Sequence, residues 1–467
     1  MKNLNNIENL YFVGAGGIGM SALVRYFLSK GKRVAGYDRV ESFLTKQLNE
    51  EGAEIHYVDH VDLIPTPFRD KETTLVVLTP AVPSDHTELS WFREQGFEIM
   101  KRAQVLGEIT RTGRGICVAG THGKTTTSSM VAHLLKQSSV DCNAFLGGIL
   151  KNYGSNLLLS DQSDLTVIEA DEYDRSFHWL TPYMAVITSA SPDHLDIYGT
   201  EEAYREAFVH FASLIRKGGA LVIEQQAAKQ LFPKGDTPQG IQYYTYSGQP
   251  QAGEQPDFYA DHVRIGNGEI CFDFVTPEAR INDIYLGVPI EINMTNGVAA
   301  LAIGWLNGLS EEELRRGMAT FQGPKRRFDF HVKTDKLVLI DDYAHHPEEL
   351  EASISSVKKL YPDRKVLTVF QPHLYSRTND FYQEFAEALS LSDEVILIPI
   401  YPAREAPMPG VDSEMILRKM TIEKKYLLSK EELVKQIRDY APEVLLIAGA
   451  GDIELLVEPL KQALIHD

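Results

Sequence analysis

The chain has 467 residues, a formal net charge of −19, 43% hydrophobic residues and 24% charged residues. This length exceeds what one hydrophobic core usually spans, so it predicts two to four domains. The acidic balance argues against nucleic acid or an anionic membrane as the main partner, because either would require a basic face.

The three cysteines, Cys117, Cys142 and Cys271, are far apart and form no CxxC pair. This pattern is typical of buried, reduced thiols in a cytoplasmic protein. The first nine residues are polar and contain no apolar segment of the kind found in signal peptides. No run of about 18 apolar residues occurs, so we expect no membrane span.

The first motif is a glycine loop between an apolar strand and a helix. Asn9–Val13 reads as a strand, a helix is predicted from about Ser21 to Ser29, and the next strand, Val34–Tyr37, ends at Asp38. This order is typical of dinucleotide-binding units, but the same physics would hold another pyrophosphate, such as that of a UDP-sugar. The loop glycines are Gly14, Gly16, Gly17 and Gly19.

A basic residue follows near the end of this unit. Thr74–Thr79 reads as another buried strand, and Arg102 lies at the start of a later predicted helix. We expect Arg102 to contact a phosphate of the substrate. The alternative is an ordinary solvated arginine on the surface.

The second glycine loop resembles a phosphate-binding P-loop. The predicted strand Gly115–Ala119 precedes it, and a helical pattern follows at Ser128–Leu135. Lys124 would reach the β- and γ-phosphates, and Thr125 would bind Mg²⁺. The usual pattern has a glycine where Val118 stands, so an ordinary strand-to-helix turn is the alternative. The residues expected to bind ATP here are Gly120, Thr121, His122, Gly123, Lys124, Thr125 and Thr126.

Two further strands deliver candidate metal ligands. The apolar strand Leu165–Ile168 runs directly into Glu169, and Ala185–Thr188 leads to His194. Carboxylates at the carboxyl end of a parallel strand near a P-loop lie where Mg²⁺ is commonly bound. A solvated acidic turn and a structural histidine are the alternatives.

Asn293 and Asn296 precede a helix predicted at Gly297–Leu306, with Asn296 near its N-cap. Two asparagines three residues apart share a helical face and could reach a nucleotide base. A Gly-Pro break then precedes Lys325–Arg327, and this basic triplet is either a phosphate clamp at a hinge or a solvated turn.

Four parallel-type strands are predicted in the last third, at Leu337–Ile340, Lys365–Phe370, Glu394–Ile398 and Val444–Ala448. Ligands of α/β sheets bind at the carboxyl ends of such strands. The polar residues that follow these strands include Asp342, Tyr343, His345, His373, Arg377 and Arg404.

Together these motifs resemble the Mur ligase family, the ATP-dependent amide-forming enzymes of peptidoglycan precursor synthesis, in the family's order and over essentially the whole chain. The matching segments are Gly120–Thr126, Glu169–Glu172, Asp193 with His194, Asn293 with Asn296, Arg327 and Asp342–Pro347. The resemblance implies an α/β protein of three domains. These are an N-terminal Rossmann-like domain (1–112) for the UDP substrate, a central P-loop ATPase-like parallel sheet (113–323) for ATP and Mg²⁺, and a C-terminal Rossmann-like domain (324–467) that closes over ATP.

Within the family, Gly14–Met20, Pro372–Thr378 and Tyr401–Ser413 resemble the members that join L-alanine to the lactyl carboxylate of UDP-N-acetylmuramate. Members that attach a recycled tripeptide to the same acid are the alternative. A distant alternative is an NAD-dependent oxidoreductase or a nucleotide-binding regulator that uses the first glycine loop. We expect a cytoplasmic monomer or homodimer that serves cell-wall synthesis.

The resemblance also implies roles for individual residues. ATP is expected to contact the second glycine loop and residues further along the chain, namely Asn293, Asn296, Arg327 and Asp342. Mg²⁺ is expected on Thr125, Glu169 and His194. The expected catalytic residues are Lys124, Glu169, His194, Arg327 and His345. The expected substrate contacts are Gly14, Gly16, Gly17, Gly19, Asp38, Arg102, Tyr343, His373, Arg377 and Arg404.

Overall fold

The computed structural model describes residues 4–79, 82–83, 85–193, 195–403 and 405–465. Over these ranges the chain is an α/β protein with three sheets, which confirms the predicted fold class. It forms two compact units, and each is described by itself. The first comprises residues up to 261 with 274–282 and 295–318, and the second comprises 262–273, 283–294 and the residues from 319 onward.

The first sheet is entirely parallel and belongs to the first unit. Its strands are β1 (Asn9–Val13), β2 (Arg33–Tyr37), β3 (Glu54–His56), β4 (Thr74–Leu78) and β5 (Glu98–Lys101), in the order β3-β2-β1-β4-β5. Its helices are α1 (Ile18–Ser29), α2 (Phe43–Glu50), α3 (Thr87–Glu94) and α4 (Arg102–Thr112). Helix α1 begins three residues earlier than predicted, because Gly17 already takes the extended conformation of an N-cap.

The second glycine loop follows a strand of the second sheet. Its strands are β6 (Arg114–Ala119), β7 (Asn143–Leu150), β8 (Ser155–Leu158), β9 (Leu165–Glu169), β10 (Met184–Ile187), β11 (Ala220–Glu224), β12 (Gln242–Ser247), β13 (Phe258–Gly266), β14 (Glu269–Val275) and β15 (Arg280–Tyr285). Their order is β15-β14-β13-β12-β11-β10-β6-β9-β7-β8, so β6 lies between β10 and β9 and is parallel to both. The helices are α5 (Lys124–Lys136), α6 (Leu195–Tyr198), α7 (Glu201–Ser213), α8 (Gln225–Leu231), α9 (Glu291–Leu306) and α10 (Glu311–Thr320).

The predicted start of α9 was wrong. The helix begins at Glu291, so Asn293 and Asn296 lie inside it and Asn296 is not near its N-cap. Both side chains are buried and hydrogen-bonded: Asn293 Nδ2 donates to Val288 O, and Asn296 Oδ1 accepts from the Thr127 hydroxyl. Because these contacts satisfy the amides, the asparagines no longer compete with the helical backbone.

The third sheet belongs to the second unit. Its strands are β16 (Asp329–Lys333), β17 (Val338–Asp342), β18 (Val366–Phe370), β19 (Glu394–Leu397), β20 (Lys425–Leu427) and β21 (Val444–Ala448), in the order β16-β17-β21-β18-β19-β20. Its helices are α11 (Pro347–Leu360), α12 (Tyr375–Leu389), α13 (Ser413–Lys419), α14 (Lys430–Tyr440) and α15 (Glu454–Ile465). The four predicted strands are parallel as expected, and β16 is antiparallel to β17.

The central strands are continuous apolar runs. All residues of β1, β18 and β21 are buried. Strands of this kind are covered by helices on both faces, as is typical of parallel sheets. The carboxyl ends of the parallel strands are therefore left as the edges at which polar side chains can meet a ligand. In the described part of the chain, no helix is long and apolar enough to cross a membrane.

Candidate active site

The second glycine loop connects β6 to α5 and needs glycine at two positions. Gly120 and Gly123 have backbone φ angles of +144° and +82°, which residues that carry a side chain rarely adopt. A Cβ at Gly123 would lie 2.7 Å from Asn296 Oδ1, and a Cβ at Gly120 would collide with the Thr188 hydroxyl. The loop is thus packed closely against α9 and against the residue that follows β10, and its backbone lies at the N-terminus of α5, where helices favour anions.

Lys124, the first residue of α5, turns back over this loop. Its Nζ donates to Gly120 O at 2.7 Å and to Thr121 O at 3.3 Å. It also lies 2.8 Å from Oε1 and 2.7 Å from Oε2 of Glu172. Burial raises the pKa of Glu172, and the Lys124 charge opposes that rise. The predicted phosphate-binding lysine is therefore paired with an acid inside the protein.

Thr125 and Glu169 lie together, as a shared metal site requires. The Thr125 hydroxyl donates to Glu169 Oε1 at 2.9 Å, and the Gly147 amide donates to Oε2 at 3.1 Å. Burial raises the pKa of Glu169, while Thr125 and Lys124 act in the opposite direction. A partly buried carboxylate beside a hydroxyl is an all-oxygen donor set, which suits Mg²⁺. His194, the third expected ligand, lies outside the described residues.

The other residues of this loop differ in exposure. The Thr121 side chain turns inward, where its hydroxyl donates to Ser191 O at 2.7 Å and lies 2.8 Å from Tyr204 Oη. His122 is exposed and Thr126 is half-buried. Among these three predicted ATP contacts, the Thr121 side chain is therefore held inside the protein, whereas His122 is accessible to a ligand.

The first glycine loop is closed by an acid rather than by a lysine. Gly14 has a φ of +89°, and Gly16 N donates to Asp38 Oδ2 at 2.6 Å. Asp38 Oδ1 also accepts from the Val40 amide at 3.3 Å. Asp38 thus holds the loop in shape, and Gly17 places the loop at the N-terminus of α1.

Arg102 lies beside the first glycine loop, within reach of the charges of Glu169 and Asp171. A Cβ at Gly19 would lie 2.5 Å from Arg102 Nε, so the guanidinium packs directly on the first loop. Arg102 is partly buried, which contradicts the interpretation of a solvated surface arginine. Burial lowers its pKa, and the negative charges of Glu169 and Asp171 oppose that change. Within the described residues, the buried Nε has no hydrogen-bond partner, so it is available to an anion.

A cavity of about 250 Å³ joins these elements. Its lining combines the first glycine loop, the start of α4 and the segment after β9. The glycines and charged residues of the lining include Gly17, Gly19, Lys101, Arg102, Glu169 and Asp171. A ligand that starts on the first loop can therefore extend past Arg102 to the carboxylate that contacts Thr125.

In the second unit, the predicted basic clamp separates into two different arginines. Arg326 forms ion pairs with Asp341 at 3.4 Å and Glu454 at 3.1 Å. Arg327 is exposed and lies 5.3 Å from the centroid of the Tyr343 ring. Arg326 therefore stabilises its own unit, while Arg327, like Lys325, is exposed.

Asp342 and His345 lie at the carboxyl end of β17. Asp342 is buried and accepts from the Phe328 amide at 3.2 Å and from the Ser353 hydroxyl. Burial raises its pKa, and these two hydrogen bonds oppose that rise. His345 Nδ1 lies 3.2 Å from Glu349 Oε2. Burial raises the pKa of Glu349, but the contacts from His345 outweigh it and lower the pKa to about 2.

The predicted acceptor residues of the second unit are neighbours. The His345 ring lies 5.0 Å from the Tyr343 ring and 6.2 Å from the His373 ring. Arg377 Nη1 lies 3.4 Å from His373 Nδ1. Burial and the Arg377 charge lower the pKa of His373, so its neutral form is favoured. Arg404 lies outside the described residues.

Sequence reasoning missed two residues of the second loop's surroundings. Glu172 pairs with Lys124, and its position three residues after Glu169 in one acidic segment was the available signal. Thr188 was predicted as the end of a strand, but β10 ends at Ile187 and the Thr188 hydroxyl donates to His122 O. A hydroxyl directly after the strand next to β6 was the available signal.

Family models match almost the entire chain in three consecutive segments. The Mur ligase family catalytic domain matches residues 9–114, the Mur ligase middle domain matches 118–304, and the Mur ligase glutamate ligase domain matches 326–451.

Individual proteins are similar over the same length. The UDP-N-acetylmuramate–L-alanine ligase of Parabacteroides distasonis is 64% identical over 99% of this chain and 98% of its own length. The ligase of the same name from Phocaeicola vulgatus is 59% identical over 97% of both chains. The crystal structure of UDP-N-acetylmuramate–alanine ligase MurC from Thermotoga maritima is 27% identical, covers 97% of this chain and 98% of that chain, and has a TM-score of 0.77. The chain belongs to the Mur ligase family.

Proposed function

We propose that this protein is an ATP-dependent carbon–nitrogen ligase that joins L-alanine to the lactyl carboxylate of UDP-N-acetylmuramate in peptidoglycan precursor synthesis. The observation that carries the proposal is the 64% identity, over 99% of the chain, to a protein named for this reaction. The local geometry supports it, because the first glycine loop and Arg102 line a cavity that also reaches Glu169, the carboxylate that accepts a hydrogen bond from Thr125 of the second glycine loop. We further propose a cytoplasmic monomer or homodimer.

The second glycine loop would bind the phosphates of ATP. Its backbone amides at the start of α5 would hold the phosphate oxygens, and Lys124 would balance the charge that moves with the γ-phosphoryl group. Thr125 and Glu169 would hold Mg²⁺, because their oxygens lie 2.9 Å apart and a carboxylate beside a hydroxyl offers the oxygen ligands that Mg²⁺ prefers. When bound, Mg²⁺ would screen the repulsion between the phosphates and the attacking carboxylate. His194 would complete this metal site.

The first glycine loop would bind the UDP diphosphate of the acid substrate. Gly14, Gly16, Gly17 and Gly19 would place backbone amides at the N-terminus of α1, and Asp38 would keep the loop closed through the Gly16 amide. The Arg102 guanidinium would contact the substrate anion beside Gly19. The cavity would lead the lactyl carboxylate towards Glu169.

The chemistry would proceed in two steps. A carboxylate oxygen of the lactyl group would attack the γ-phosphorus of ATP, so that ADP leaves and an acyl phosphate forms. The amine of L-alanine would then attack the acyl carbon, lose a proton and displace inorganic phosphate. Lys124 would act in the first step, because its charge lies where negative charge shifts towards ADP.

Residues later in the chain would make further contacts to the substrates. Arg327 and Asp342 would contact ATP, together with Asn293 from the start of α9, and Asn296 would support the second glycine loop. The group formed by Tyr343, His345, His373 and Arg377, with Arg404, would bind L-alanine and its carboxylate.

Phosphate release from ATP tests this proposal. We expect phosphate only when UDP-N-acetylmuramate and L-alanine are both present, with formation of the UDP-muramoyl-alanine amide. Efficient release with a tripeptide in place of L-alanine would favour the tripeptide ligases instead. Release of phosphate without either substrate, or reduction of NAD by the protein, would contradict the ligase assignment.

A further inference from the structure

The Lys124 ammonium is fully engaged with acceptors inside the protein. Its acceptors are Gly120 O at 2.7 Å, Thr121 O at 3.3 Å and Glu172 Oε1 at 2.8 Å, and the second Glu172 oxygen lies 2.7 Å from Nζ in the same ion pair. An ammonium group has three donors, so these three residues use all of them. The cation that the proposed reaction needs is therefore held at a defined position by its own loop and by one carboxylate.

Glu172 is itself held in place. Its residue is only 1% exposed, and its backbone carbonyl accepts a hydrogen bond of 2.5 Å from the Tyr198 hydroxyl. The Tyr198 ring packs edge-on against Tyr204 at 4.8 Å, and Tyr204 Oη lies 2.8 Å from the Thr121 hydroxyl. Two tyrosines thus connect the backbone of Glu172 to the loop that carries Lys124.

The acids Glu169 and Glu172 stand three residues apart but face different partners. Glu169 contacts the Thr125 hydroxyl, and Glu172 contacts the Lys124 ammonium. A buried carboxylate is costly unless it is paired, and its pairing with a lysine fixes the direction of that lysine's long, flexible side chain. Such preorganisation is how a fixed charge stabilises a transition state without reorganising during the reaction.

We propose that Glu172 is a positioning residue, which holds Lys124 against the second glycine loop so that the ammonium meets the transferring phosphoryl group in one orientation. This inference rests on the proposed ATP-dependent ligation. Glu172 would not touch the substrates. It would act through Lys124. When ATP binds, one N–H of the ammonium would exchange its acceptor, from a Glu172 oxygen to a phosphate oxygen.

The variant Glu172→Gln tests this role, because it keeps the size of the side chain and removes its charge. We expect kcat to fall about 10- to 100-fold, the range for loss of a charge-assisted contact that acts in the transition state. The KM for ATP should stay unchanged or fall, because the carboxylate no longer competes with the phosphates for the ammonium. The KM values for UDP-N-acetylmuramate and L-alanine should stay unchanged.

Two further variants complete the experiment. Glu172→Asp keeps the charge one methylene further away, and we expect it to recover part of the lost kcat. Glu88→Gln is the matched control, because Glu88 is also fully buried and hydrogen-bonded, to Tyr11 in the first sheet. It should leave kcat unchanged. Calorimetric binding of ADP and thermal unfolding, both measured for every variant, report on the loop and on the fold independently of turnover.

The results distinguish the alternatives. A kcat of Glu172→Gln within twofold of the parent protein would overturn the proposal, as would an equal rise in the KM values of all three substrates. If Glu172→Gln does not fold, Glu172→Asp decides: a lower kcat with unchanged KM values supports the proposal, and an unchanged kcat overturns it. Failure of the proposed function would appear differently, as a parent protein that releases no phosphate in the presence of both substrates.

Discussion

The two glycine loops have the same local design and different surroundings. Each follows a buried parallel strand, contains a glycine with positive φ and starts a helix. At the first loop, Asp38 accepts from a loop amide and the cation, Arg102, comes from the distant helix α4. At the second loop, the cation is Lys124, which belongs to the helix that follows the loop. Glu172 contacts Lys124, and Glu169 contacts Thr125.

We infer from this difference that the first loop holds a phosphate group, whereas the second loop takes part in phosphoryl transfer. A remote arginine and a closed loop can grip a diphosphate without changing partners. A lysine that an acid holds in place, next to an oxygen site suited to a metal ion, presents a fixed positive charge where negative charge moves between phosphate oxygens. We therefore expect substitutions at the second loop to act on turnover and substitutions at the first loop to act on substrate affinity.

The largest effect is expected for Lys124→Ala. It should lower ligation by at least ~10²-fold while the protein stays folded, because it removes preorganised charge stabilisation. Phosphate release in the presence of both substrates measures the loss, and circular dichroism checks the fold.

Lys136→Ala is the matched control for that variant. Lys136 lies at the other end of α5 and pairs with Asp141 at 2.6 Å. Its activity should stay within about twofold of the parent, because, among the residues that the structure describes, this ion pair makes no contact with the second glycine loop. Near-normal turnover in folded Lys124→Ala would remove the distinction between the two loops.

The second effect is expected for Glu169→Ala. The Mg²⁺ concentration for half-maximal activity should rise by at least ~10-fold, because even outer-sphere partners of a metal often change its affinity by that factor. A magnesium titration at saturating ATP measures the shift. Glu224→Gln serves as the control: it alters a partly buried carboxylate at the end of β11 that caps α8, and its titration should match the parent. A normal titration for Glu169→Ala would place the metal elsewhere.

A third effect is expected at the first loop, for Arg102→Ala. The KM for UDP-N-acetylmuramate should rise about 10-fold, corresponding to loss of one charge-assisted hydrogen bond. The KM for ATP should be unchanged, which gives the opposite pattern to the second loop. Arg111→Ala, in the same helix but exposed and paired with Glu108, should have parent-like kinetics. If Arg102→Ala reduces kcat alone, the assignment of this arginine to affinity is wrong.

The smallest effect is expected for Asp38→Asn. The asparagine oxygen can still accept from the Gly16 amide, so only the charged part of that hydrogen bond is lost, about 0.5–1.5 kcal/mol. Initial rates at varied UDP-N-acetylmuramate should show a KM raised two- to tenfold, in line with that energy. A larger loss than in Arg102→Ala would mean that Asp38 contacts the substrate directly and does more than close the loop.

Sequence reasoning predicted the elements that depend on neighbouring residues. Both strand–loop–helix units were found because apolar runs, glycines and the first polar residues of a helix are adjacent in the chain. The location of Thr125 and Glu169 at the same edge of the sheet also followed, since carboxyl ends of neighbouring parallel strands share one edge. The start of α9 was missed, because the contacts of Asn293 and Asn296 that permit a helix there come from Val288 and Thr127.

The sequence by itself determined that two phosphate-type loops occur on parallel sheets, and that the second is accompanied by a lysine, threonines and acids. Only the tertiary structure decided which acid each group contacts. It placed Glu172 on Lys124, Glu169 on Thr125, and Arg102 beside Gly19. These pairs join residues 44 to 83 positions apart, so they depend on strand order and on which side chains burial brings together rather than on any local pattern.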